Sequence, residues 1–145
     1  MANSLFAAYK GVQLGDAAIS GFSVVNWESD DCRVILIDTA DDDPVVNTDQ
    51  DLADIAGAAR VATSGALGSK TAILSGNTLT MSASNVTLTG VTGDQSEELL
   101  IYRHTGTEAT SLLIVSFDTF TSGMPITPNG GDISIQWNAS GIFSW

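Results

Sequence analysis

Apolar and polar residues alternate in short runs along most of this chain, and Gly, Ser, Asn and Pro separate the runs. Residues 78–83, Thr-Leu-Thr-Met-Ser-Ala, and 133–137, Ile-Ser-Ile-Gln-Trp, keep a period of two, as strands with one buried face do. Phe22 to Trp27 predicts a strand. Arg33 to Ile37 predicts another, and its four consecutive aliphatics require cover on both faces, as in the middle of a sandwich. Further strands are expected at Arg60 to Thr63, Thr71 to Leu74, Thr78 to Ala83, Val86 to Leu88, Glu98 to His104, Leu112 to Phe117 and Asp132 to Trp137. The faces Leu79/Met81/Ala83 and Val86/Leu88 are too narrow to stand alone and call for a second sheet.

Helix signals are few. Residues 3–13 carry Leu5, Phe6 and Tyr9 on one side before Gly11 and Gly15 interrupt the pattern. Asp49 is placed to cap a short helix from Gln50 to Ala56, with Leu52 and Ile55 three apart and Gly57 ending it. Thr127-Pro128-Asn129-Gly130-Gly131 has the chemistry of a tight turn. Many short strands with one or two short helices predict an all-β chain: an antiparallel β-sandwich of jelly-roll-like order, with immunoglobulin-like order as the alternative. The expected organisation is an N-terminal arm with a short helix over 1–22 and one β-sandwich domain over 23–145. No unit of about 20–50 residues repeats, which excludes a solenoid or propeller.

Composition narrows the function. Charged residues make up 15% of the 145 residues, against about 25% in ordinary soluble domains, so part of the surface is expected to face other subunits. The net charge of −12 comes from 17 acidic and 5 basic residues, and Lys10, Arg33, Arg60, Lys70 and Arg103 are scattered singly. Without a cationic cluster, neither nucleic acid nor an anionic membrane is an expected partner. The one cysteine, Cys32, opens an apolar run and reads as a small hydrophobe. No signal peptide or membrane span is visible, so synthesis in a reducing cytoplasm is expected. Asn85-Val86-Thr87 and Asn138-Ala139-Ser140 match the glycosylation triplet by chance in that setting.

Candidate chemistry is sparse. His104 is the sole histidine, which excludes a multi-histidine metal centre; no Gly-x-Ser-x-Gly frame surrounds a serine, and Gly65 to Lys70 lacks phosphate-loop spacing. Asp38, Asp41, Asp42 and Asp43, with Asp49, Asp51 and Asp54 nearby, offer hard oxygens of the kind calcium takes. The EF-hand register fails, however, because Val46 and Leu52 occupy its glycine and glutamate positions. Trp27, Tyr102, Trp137 and Trp145 could make a platform for sugar rings. No catalytic residue, cofactor or metal ligand is therefore assigned, and the chain reads as a non-enzymatic contact module.

The order of motifs adds a resemblance. Val25-Asn26-Trp27-x-Ser29-Asp30, Arg33 to Ala40, Leu52-Ala53-Asp54-Ile55 with Ala59-Arg60-Val61-Ala62, Val91 to Glu97 and Pro125 to Asp132 together look like small structural proteins of tailed bacteriophages. The resemblance spans most of the chain and is to capsid decoration, or cement, proteins. It implies a β-rich module on the exterior of the virion head, bound to the major capsid protein and to sister subunits as a homotrimer, and made in the host bacterial cytoplasm. Tail, baseplate or fibre proteins and carbohydrate-binding modules are the alternatives. Leu5, Phe6, Tyr9, Phe143 and Trp145 are the candidate interface residues, because aromatic chain ends left free would be costly.

Overall fold

A computed structural model describes residues 2–120 and 122–145. Among the described residues the chain is mostly β, with antiparallel sheets and one α-helix. The described residues form, in chain order, the strands β1 (Ala2–Leu5), β2 (Cys32–Ile37), β3 (Arg60–Thr63), β4 (Thr71–Ser75), β5 (Thr78–Ser82), β6 (Val86–Leu88), β7 (Glu98–Arg103), β8 (Leu113–Thr119), β9 (Ile133–Ile135) and β10 (Phe143–Ser144). The helix α1 spans Ala7–Leu14. The largest sheet has the order β1-β8-β7-β2-β3, a three-stranded sheet has β10-β5-β4, and β6 pairs with β9.

The centre of the large sheet is where the sequence pattern is most continuous. Every residue of β7 and five of the six in β2 are buried, which is the signature of strands covered on both faces. Cys32 lies there with its thiol pushed up to about 12, mainly by burial.

Four local expectations are corrected by hydrogen bonds that periodicity cannot register. Phe22 to Trp27 is not a strand, because the Gln13 side chain takes both backbone groups of Val25, donating to its carbonyl at 3.1 Å and accepting from its N–H at 2.6 Å. The helix expected from residue 3 begins at Ala7, since Ala2–Leu5 pairs with β8 and Leu5 and Phe6 precede the helix. Gly15 then ends it at φ +77°. The helix expected over Gln50 to Ala56 contracts to one 3-10 turn, Leu52–Asp54. Asp51 caps that turn in a capping box with Asp54, while Asp49 accepts from the N–H of Val45. The last expected strand shortens to Ile133–Ile135, because the N–H of Trp137 goes to Asn85 Oδ1 at 3.0 Å. The 127–131 turn forms as expected, with Gly130 at φ +85° and Asn129 Oδ1 accepting from the N–H of Gly131.

Candidate functional site

The interface residues expected at the two chain ends divide by burial. Phe6, Tyr9 and Phe143 are core residues of this chain, at 0%, 4% and 3% exposure, and Leu5 is half-buried. Trp145 is 40% exposed. Its backbone exchanges both hydrogen bonds with Leu79, each 2.9 Å, which extends the β10–β5 ladder by one residue and places Trp145 directly opposite Leu79. Leu79 is in turn opposite Leu74 on β4. Opposed residues of an antiparallel pair share a face, so Leu74, Leu79 and Trp145 form a row across the sheet. The adjacent row on that face, Ala72, Met81 and Phe143, dips into the core. The outer row comes to the surface, with Leu74 67% exposed, and the Trp145 ring leans on Tyr9 of α1 at 5.8 Å.

The charge pattern isolates this row. No Asp, Glu, Lys, Arg or His occurs between Lys70 and Asp94, or after Asp132. The fold joins these two uncharged segments through the β5–β10 and β6–β9 pairings. One carboxylate does reach the three-stranded sheet: Glu28 Oε1 accepts from the N–H of Ala72 at 3.1 Å on the outer side of β4. It occupies a backbone donor on an otherwise open edge, as charged residues on edge strands do. Leu74 and Leu79 are not among the interface candidates named from the sequence. The gap in charge was the legible signal, but only the strand pairing shows that its two halves are neighbours.

The other candidates disperse. Of the four aromatics considered as one sugar platform, Trp27 and Tyr102 are buried. Trp27 packs edge-on against Phe143 at 5.2 Å and donates its indole N–H to the Ser82 carbonyl. Trp145 stands beside Leu79 on one face of the β4–β5 hairpin while Trp137 borders Thr80 and Ser144 on the other, so the four aromatics do not share one platform. In the Asp-rich loop most carboxylates organise turns: Asp42 accepts from the N–H of Ala56, Asp51 from Ala53, and Asp54 from Gln50. Asp38 and Asp41 do come together with the distant Asp94, their nearest carboxylate oxygens all within 4.8 Å. Asp38 spends Oδ1 on the N–H of Ala40. Asp94 had no sequence signal linking it to the loop.

Four ionisable residues, Asp30, Asp31, Arg103 and His104, line a shallow cleft together with Ser23, Val24 and Thr105. Asp31 is held below the usual carboxylate range by its ion pair with Arg33 at 2.7 Å. Arg103, 8% exposed, donates from its two terminal nitrogens to the carbonyls of Ser23 and Thr110, while among the described residues its Nε and His104 Nδ1 are buried without partners. Among the described residues no serine or cysteine side chain hydrogen-bonds to His104. Cys32 is buried and its thiol is shifted away from ionisation. Among the described residues no helix is long and apolar enough to cross a membrane.

No family model matches the chain, and no curated protein matches it.

Proposed function

We propose that this chain is a structural protein of a tailed-phage virion, a capsid decoration or cement protein that docks on the outside of the head and stabilises it. The observation that carries this reading is the row Leu74–Leu79–Trp145, exposed at Leu74 and Trp145 with Leu79 half-buried between them, set in an uncharged pair of segments of a chain whose net charge is −12. An apolar patch free of charge is a surface on which a strongly acidic protein can approach another protein without like-charge repulsion. The acidic residues lie outside those segments, which suits a particle exterior facing solvent better than a DNA-filled interior.

The docking partners are the major capsid protein and sister subunits, with a homotrimer as the assembly. A sandwich of the five-stranded sheet against the smaller sheets belongs to the same proposal, and its strand order, jelly-roll-like or immunoglobulin-like, is part of what an assembled structure would define. The test is a reconstruction of purified particles at a resolution that places this fold. Density for the chain on the outer head surface is expected; density only on the tail, baseplate or a fibre would move it to another virion role. Particles without it would overturn the reading.

A further inference from the structure

On the opposite face of the same hairpin, Thr80 stands between Ile73 of β4 and Ser144 of β10. Beside this row lies a half-open groove of about 240 Å³, walled by Trp137 and by Thr78, Thr80, Asn138, Ser140 and Ser144. Its base is tight. Gly141, at φ +116°, lies so close to Thr80 that a Cβ there would overlap the Thr80 methyl group, so the groove requires glycine at this position.

Three properties of the groove define what it can hold. The Trp137 ring is fixed in place before any ligand arrives: its indole N–H donates to the Ser84 carbonyl at 3.0 Å, its backbone N–H is held by Asn85, and it packs against Phe117 at 6.1 Å. The hydroxyls around it are free, because among the described residues those of Thr78, Thr80, Ser140 and Ser144 make no hydrogen bond, and Asn138 uses only its Oδ1, accepting from the N–H of Ser140. Among the described residues none that lines the groove is charged. A rigid aromatic wall beside unspent hydroxyl and amide groups matches a ligand with alternating C–H faces and hydroxyls. With no cation among the described lining residues to pair with a phosphate, sulfate or uronate, the lining suits a neutral ligand, and the volume lies just below the usual range for ligand sites.

We propose that this groove binds one unit of a neutral saccharide, with Trp137 as the stacking face and the surrounding hydroxyl and amide groups as hydrogen-bonding partners. The assignment is independent of virion docking, since Leu74 and Trp145 point to the other face of the sheet. The test titrates the full chain with neutral oligomers of hexose and N-acetylhexosamine while following the indole N–H signals by NMR. A saturable shift of the Trp137 signal is expected, with the buried Trp27 signal unmoved. Trp137→Ala, which removes the reporting indole and is therefore titrated by calorimetry beside the wild type, should weaken binding about tenfold, the worth of one aromatic face. Because that change also removes the contact with Phe117, Ser140→Phe serves as the second variant: it fills the groove from an exposed position and should abolish the shift. The Leu74→Ser chain should bind as the wild type does. No saturable shift at millimolar sugar, an undiminished shift in Ser140→Phe, or equal binding of an acidic oligosaccharide would each overturn the assignment.

Discussion

Glu98 opens β7 with 3% of its surface exposed and no cation beside it. Burial pushes its carboxyl from 4.5 up to about 7; the Ser116 hydroxyl, donating at 2.5 Å from β8, works against that rise, and the charges of Asp43 and Asp118 add to it. Between these two values the folded chain holds a proton that the unfolded chain releases. The stability Glu98 contributes is therefore complete below pH 4.5, falls as the pH rises towards 7, and is gone above it. The loss is on the order of 3 kcal/mol. Glu98→Gln keeps a polar partner for Ser116 without the charge, so urea midpoints should match the wild type near pH 4.5 and exceed it at pH 8. Parallel curves for the two proteins would show that Glu98 does not titrate in this window. Nothing in the sequence distinguishes Glu98 from its exposed neighbours Gln95 and Asp94, because alternation marks one buried face whereas β7 is covered on both. Phe6, Tyr9 and Phe143 were legible as residues that must be covered, but not as residues the chain itself covers.

Between elements, Arg60 has the role that sequence reading did not give it. Standing first in β3, it donates Nε and Nη2 to the Ile55 carbonyl, Nη2 also to Leu52, and Nη1 to Glu108. It thereby ties the Leu52–Asp54 turn, its exit and the Glu108–Thr110 turn to the edge of the large sheet. These bonds need a planar fork, and a lysine ammonium presents all its donors from one atom. Arg60→Lys should lower stability by about 1.5–3 kcal/mol, because buried carbonyls lose donors that a single ammonium cannot reach together. A melting temperature unchanged in Arg60→Lys would show that the carbonyls find other donors. Glu108→Gln should have a much smaller effect, since the Glu108 carboxylate is solvent-exposed and screened. Periodicity gave β2 to β8 to within one or two residues at each end, because apolar alternation and the ladder coincide there. It failed at 22–27 and 50–56, where Gln13 and the Asp51–Asp54 capping box satisfy the backbone with side chains.

At the scale of the molecule, charge and topology are arranged together. Two segments without a charge are far apart in sequence, yet β5 pairs with β10 and β6 with β9, which gathers them into neighbouring small sheets. The gap in charge could be read from the sequence. The adjacency could not, because strand pairing over that separation is fixed by tertiary packing rather than by local pattern. One face of the hairpin presents the apolar row and the other the hydroxyl-lined groove, so protein docking and ligand binding can be separated by substitution. Leu74 is 67% exposed, so Leu74→Ser should change stability by no more than about 0.5 kcal/mol. If the apolar row docks on the head, particles assembled with Leu74→Ser should carry fewer copies of the chain, counted by quantitative mass spectrometry. Wild-type copies should stay bound in molar salt, where interactions between exposed charges are screened over about 3 Å. Full occupancy by Leu74→Ser would exclude the row as the docking surface, and release of the wild type by salt would mean that charge, not apolar contact, holds it to the shell.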